Sequence, residues 1–160
     1  MSNETITSAG AETQSASQFS TFFVGDLFFG VDVLRVQEVL LFQHMTRVPL
    51  APQVIEGLIN LRGQIVTAID MRRLLRLPER AEGQAPMNMV LRTEDGPVSL
   101  LVDEIGDVLD VDRALYEHPP EGLHPAARQL IRGVYKLKDR LMLVLDAERA
   151  TTDLVEGQNA

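Results

Sequence analysis

Residues Val54 to Leu75 read VIEGLINLRGQIVTAIDMRRLL, and this stretch decides the fold. Two runs rich in β-branched and aliphatic residues, Gly57 to Leu61 and Gln64 to Ile69, flank Arg62-Gly63. That spacing predicts a tight β-hairpin in which glycine supplies the positive φ. Asp70 follows at a helix N-cap position, where its carboxylate accepts the free N–H groups of the turn beginning Met71-Arg72-Arg73, and Pro78 is read as the stop of that helix. The unit is a strand, a tip arginine, a second strand and a capped helix.

The unit recurs. An ungapped shift of 76 positions lays IRGVYKLKDRLMLVLDAER, Ile131 to Arg149, over Ile55 to Arg73, pairing Gly57 with Gly133, Leu61 with Leu137, Arg62 with Lys138 and Asp70 with Asp146. An earlier echo runs from the hairpin Phe19 to Val31 and Asp32 to the hairpin Met87 to Val102 and Asp103. With one residue inserted, it sets Val36-Gln37-Glu38-Val39 against Val108-Leu109-Asp110-Val111. Matching periodicity and turn chemistry in both halves point to an internal duplication.

Outward from these blocks, Gly25-Asp26 and Asp95-Gly96 read as hairpin turns, Val36 to Phe42 and Ile105 to Val111 as further strands. On the first strand Phe19, Thr21 and Phe23 alternate with Ser20, Phe22 and Val24, so both of its faces carry apolar groups and at least one of them meets more than solvent. Thr46-Arg47-Val48-Pro49 and Pro52 force an extended, turning segment. His118-Pro119-Pro120-Glu121-Gly122 must be loop, and Pro125-Ala126-Ala127-Arg128 adds one helical turn. Short strands at close spacing, with few helices and no strand–helix alternation, predict an all-β fold with short helices: two small antiparallel barrels of about five strands each. The proline- and glycine-bearing segment PERAEGQAP, 78–86, is the expected linker between a first barrel at 19–77 and a second at 87–150. Residues 1–18 are expected to form a disordered tail and 151–160 a frayed C-terminal one.

Composition narrows the function. Hydrophobic residues make up 45% of the 160, a globular value, and 23 acidic against 15 basic residues give a net charge of -8. A chain this acidic is repelled by phosphate backbones, which argues against nucleic acid as a partner. The absence of cysteine excludes disulfides and thiolate chemistry and suits the cytosol. No apolar run reaches the roughly 18 residues of a membrane span, so no direct membrane insertion is expected.

Asp32, Asp70, Asp103 and Asp146 raise the possibility of paired carboxylates for acid–base chemistry, but each stands where a strand yields to a turn or helix, and capping explains all four. The acidic run Asp103, Glu104, Asp107, Asp110, Asp112 lacks the ligand alternation, central glycine and closing glutamate of a calcium loop and reads as a solvated edge. His44, His118 and His124 fall in loops without a second ligand at metal spacing. No cofactor or metal is assigned to any residue. A small hydrolase or isomerase using Asp32 or Asp103 with His44 is the rival of another class; it requires those side chains to converge in one concave pocket. Glu38 and Arg62 are more informative. Their spacing leaves open an ordinary surface ion pair or an arginine anchoring a protein interface centred on Val36 and its neighbours.

Phe29-Gly30-Val31-Asp32-Val33-Leu34-Arg35-Val36-Gln37-Glu38-Val39, Thr46-Arg47-Val48-Pro49, Ile55-Glu56-Gly57-Leu58-Ile59-Asn60-Leu61-Arg62-Gly63 and Val102-Asp103 with Asp107-Val108-Leu109 closely resemble the CheW family of bacterial chemotaxis coupling proteins. The resemblance runs from about Phe19 to Ala150. It implies two SH3-like five-stranded barrels and a non-catalytic adaptor, located in the cytoplasm at membrane-associated receptor arrays. The implied partners are the cytoplasmic tips of chemoreceptors (methyl-accepting chemotaxis proteins), the regulatory domain of the histidine kinase CheA, and further copies of the family in rings. By that likeness Val36, Glu38, Gly57 and Arg62 carry partner contact, Val33, Asn60 and Gly63 shape the same surface, and Met87, Ser99 and Val108 face a receptor groove between the barrels. Ser99 and Glu104 stand where the family often has glycine, and Tyr135 where it usually has a small residue, departures that bear on the groove. A pathway with another output, such as surface motility, would use the same module.

Overall fold

The computed structural model describes residues 18–151; the expected tails at 1–18 and 151–160 lie outside them except for Gln18, which opens β1, and Thr151, which is helical. The first half forms β1 (Gln18–Val24), β2 (Leu27–Asp32), β3 (Val36–Leu40), β4 (Ile55–Leu61) and β5 (Gln64–Asp70). A short helix, α1 (Met71–Leu74), follows. The second half forms β6 (Met87–Thr93), β7 (Gly96–Val102), β8 (Glu104–Asp110), the two-residue β9 (Tyr116–Glu117), α2 (Pro125–Arg128), β10 (Ile131–Lys136) and β11 (Leu141–Leu145). The expected all-β fold with short helices is the observed one. No described helix is long and apolar enough to cross a membrane.

The strands form two sheets, of order β8-β1-β2-β11-β10-β9 and β3-β6-β7-β5-β4. The division into a first barrel at 19–77 and a second at 87–150 is therefore corrected: each half lends its first hairpin to the other half's sheet. Hairpins β1–β2 and β6–β7 are apolar on both faces, and such strands belong in the middle of a sheet covered on both sides. Each hairpin lies in the middle of the borrowed sheet, joined to it by a parallel pairing. Phe29 and Gly30 stand beside Leu143 and Val144, and Val98 and Ser99 beside Thr67 and Ala68.

Those pairings make the duplication a matter of register. Phe29 and Val98 are 69 positions apart, Thr67 and Leu143 are 76 apart, and they pair in the same way. The edge strands keep the offset of 69, since Val36 lies opposite Leu91 where Ile105 lies opposite Phe22, and Val39 opposite Met89 where Val108 lies opposite Ser20. The echo of Val36 in Val108 is thus corrected to Val36 with Ile105 and Val39 with Val108, without an insertion. The additional seven residues of the second copy fall later, in the segment that contains α2. Bulges between Ile55 and Gly57 and between Ile131 and Gly133 repeat as well. Here a Cβ on Gly57 would lie 2.7 Å from the Thr46 carbonyl oxygen, and one on Gly133 would strike the Tyr116 ring, so both positions need glycine for the close approach of a crossing segment.

Strand alternation sorts the apolar side chains into three clusters. The largest lies between the sheets and joins Phe22, Phe29 and Leu143 of one to Ile69, Met89 and Leu100 of the other. Phe22 and Phe29 stack at 5.2 Å, and burying each such side chain stabilises by about 1.5–3 kcal/mol. The opposite faces fill the separate interiors: Ile59, Val66, Val90 and Leu101 in the β3–β7 unit, Phe19, Phe28, Tyr135 and Met142 in the other.

Two local expectations shift. Helix α1 ends well before Pro78: Leu77 N–H donates to the Arg72 carbonyl at 2.8 Å across Arg76, whose φ is 60°. A left-handed residue after the last turn closes a helix this way, usually as glycine, so the arginine hides the signal. The second hairpin turns at Glu94-Asp95, with Thr93 opposite Gly96, so that Gly96 opens β7 instead of occupying the turn.

Candidate partner-binding surface

The β4–β5 tip is built locally. Arg62 and Gly63 have φ of 51° and 88°, the paired left-handed conformations of a two-residue hairpin turn. Asn60 locks it by accepting the Gly63 N–H at 2.9 Å. The turn leaves the Arg62 side chain 71% exposed, and its Nη2 donates to Glu38 Oε2 on the edge strand β3. That hydrogen bond holds the Glu38 carboxyl below its usual pKa, against the opposing effect of burial. On β3, Glu38 shares a face with Leu40, which packs into the interior of its unit. Val39 and Leu41 point the other way and are exposed, as are Phe42 and Ile65; Ile65 lies opposite Asn60. The result is an exposed guanidinium oriented at a hairpin turn, with further exposed apolar side chains on the strands it bridges, Val39 on β3 and Ile65 on β5.

The other sequence-derived site residues divide. Val33 and Val36 are half-buried, and Val36 packs against the main core, so the open apolar surface comes from Val39, Leu41 and Ile65 instead. Gly57 is buried beneath Thr46, which gives it a structural role and corrects its reading as a contact. Ser99 is corrected too. It is wholly buried because it alternates with Leu100 on β7 and so faces its unit's interior, where its hydroxyl donates to Asn88 Oδ1 at 2.8 Å. Met87 is half-buried against the main core, and Val108 is exposed on the edge strand β8.

Capping accounts for Asp32, Asp70 and Asp146, which accept the N–H groups of Leu34, Arg72 and Arg149. Asp103 is the exception. Arg72 grips its carboxylate with Nε at 3.0 Å and Nη2 at 2.7 Å, Arg80 adds Nε at 2.9 Å, and the Gly25 N–H donates at 2.7 Å. Burial pulls its pKa up, but the bonds from Arg72 and Gly25 and the two arginine charges outweigh this and hold it below its ordinary value. Nothing in the local sequence separates this aspartate from a cap, since its partners lie 31 and 23 residues away. His44 is a partner of neither Asp32 nor Asp103 among the described residues, and His124 caps α2 by accepting the Ala126 N–H at 3.1 Å.

A family model described as the CheW-like domain matches residues 18–154. The chain belongs to the CheW-like domain family. It is 31% identical over 150 residues to the chemotaxis protein CheW of Bacillus subtilis (strain 168), covering 94% of this chain and 96% of that one. The chemotaxis protein CheW of Klebsiella aerogenes is 29% identical over 145 residues, with 91% and 87% covered. Protein FrzA of Myxococcus xanthus is 29% identical over 121 residues, 76% of each chain. The crystal structure of the scaffolding protein TtCheW from Thermoanaerobacter tengcongensis shares the fold, with a TM-score of 0.75 at 23% identity over 84% of this chain and 92% of that one.

Proposed function

We propose that this chain is a non-catalytic adaptor that links the cytoplasmic tips of chemoreceptors to the regulatory domain of the histidine kinase CheA. The observation that carries the reading is the exposed Arg62, held by Glu38 at a hairpin turn, with Val39 and Ile65 exposed on the strands it bridges. Arginine with neighbouring apolar groups is the composition of an interface hot spot. Val108 and Met87 are assigned to the receptor side, and further copies of the chain or the related kinase domain join through the two similar units into rings. Such an adaptor works in the cytoplasm at receptor arrays and acts by differential binding. A receptor conformation that favours one arrangement of the complex shifts the kinase population by the same coupling free energy.

Calorimetry with the kinase regulatory domain and with a purified receptor-tip fragment tests this. Micromolar association, on the order of 8 kcal/mol, is expected with the kinase domain; no association with either protein contradicts the reading. A second reading keeps the adaptor chemistry and changes the pathway, supported by the similarity to a relative not named for chemotaxis, protein FrzA. Deleting the gene separates them: loss of directed swimming supports the first, and intact swimming with a defect in surface movement supports the second.

A further inference from the structure

The two hairpin turns are each pinned by a carboxylate that an arginine holds, with the charges exchanged. Gly25 N–H donates to Asp103, which Arg72 of α1 grips. At the equivalent turn, Glu94 N–H donates to Glu148 at 3.1 Å, and Glu148 accepts Arg35 at 2.6 Å. Glu148 stands 76 positions after Arg72, and Glu94 stands 69 after Gly25, so the two clasps occupy corresponding places. They differ in burial and valency. Arg35 and Glu148 side chains are 42% and 28% exposed, those of Arg72 and Asp103 15% and 7%. Among the described residues only the buried clasp recruits a second arginine, Arg80 of the 78–86 connector, which also reaches the Leu101 carbonyl at 3.2 Å. That connector ends at Met87, and Met87 pairs with Val102, the residue before Asp103.

We propose that Asp103 is a positioning residue: with Arg72 and Arg80 it clasps the β1–β2 turn and the connector together and so sets where Met87 stands. Apolar contact between the sheets is non-directional, whereas a bidentate arginine–carboxylate pair fixes geometry. At the corresponding turn the exposed clasp holds no second arginine among the described residues, so it supplies the comparison. The consequence for receptor binding rests on the assignment of Met87 to the receptor side made above.

Methyl NMR of methionine-labelled full-length protein, with amide exchange, reads the geometry. Arg80→Gln, which leaves the Arg72 pair in place, and Asp103→Asn are each compared with Glu148→Gln. Both clasp variants are expected to shift the Met87 methyl resonance and leave that of Met142, inside the other unit, in place. Asp103→Asn is expected to speed Gly25 exchange about tenfold or more, as loss of a charged acceptor requires. Affinity for the receptor-tip fragment is expected to fall in step with the Met87 shift, with binding of the kinase regulatory domain unchanged. Glu148→Gln replaces the charged acceptor of the Glu94 amide by a neutral one and is expected to leave Met87 unmoved. A Met87 signal unmoved by Arg80→Gln, or moved equally by Glu148→Gln, overturns the proposal. Should the receptor tip fail to bind the wild-type protein, the adaptor reading falls alone, because the positioning role is still decided by the Met87 shift.

Discussion

The β3–β7 unit and the unit built around β1, β2, β10 and β11 share strand order, parallel pairing and bulges, yet their hairpin tips are chemically unlike. In one, Arg62 closes onto Glu38. In the other, the register gives Lys138 and Asp107 as counterparts, and no ion pair joins them among the described residues. They line a surface depression of about 320 Å³ together with Phe23, Phe28 and Leu109. Arg140 lies over both phenyl rings there, 5.3 and 4.7 Å from their centroids. A duplicated backbone plan therefore presents two tips of different chemistry, and different partners can be held by related scaffolds. What is common to both units, the bulge glycines and the pinned turns, serves the shared fold, and the units part company at their tips.

The comparison is broken most severely at its buried asymmetry. Asp103→Ala leaves the half-buried Arg72 without its carboxylate and Arg80 with Asp70 alone at 3.4 Å, and urea unfolding is expected to register a loss of about 3 kcal/mol. The pH dependence follows from the same group. Its pKa in the fold is below the ordinary value of 3.8, so its contribution is complete above that value and is lost as pH falls through the folded pKa. Stability of the wild-type protein is therefore expected to drop in that acid range, and Asp103→Asn is expected to show a smaller drop.

Next come the bulge glycines. Gly57→Ala drives a methyl group against the Thr46 backbone carbonyl, which cannot swing aside, and about 2 kcal/mol of destabilisation is expected by chemical denaturation. Gly133→Ala meets a Tyr116 side chain that is itself exposed and can turn away, so roughly 1 kcal/mol is expected there. Equal losses at the two glycines would mean that the tyrosine is as fixed as a backbone.

These sites also show what the sequence made legible. The β4–β5 hairpin, its Arg62-Gly63 turn and the Asp70 cap are decided by residues within a few positions of one another, and all three are present as read. The exchange of hairpins was hidden because parallel pairing of Phe29 with Leu143 joins distant segments, and a doubled pattern fits barrels assembled within or between halves equally well. Asp103 looks like a cap in one dimension and becomes the centre of an arginine cluster only in three. Ser99 reads as a surface serine until alternation with Leu100 turns it inward to Asn88. At the candidate surface Arg62 and Glu38 were legible as a pair. The exposed Ile65 and Leu41 were not, because an aliphatic residue in a strand looks the same whether it faces core or solvent.

The smallest expected effect on stability belongs to the most telling variant. Arg62→Glu alters an exposed side chain, so its unfolding free energy is expected to stay within about 0.5 kcal/mol of wild type. Calorimetric titration of the kinase regulatory domain into wild type, Arg62→Glu and Lys138→Glu, with Tm recorded for each, tests the central claim most directly. The account predicts that affinity falls at least about tenfold for Arg62→Glu, the loss of at least 1.4 kcal/mol that a hot-spot arginine carries, with Tm unchanged. Affinity equal to wild type in Arg62→Glu, or an unfolded Arg62→Glu protein, would contradict it.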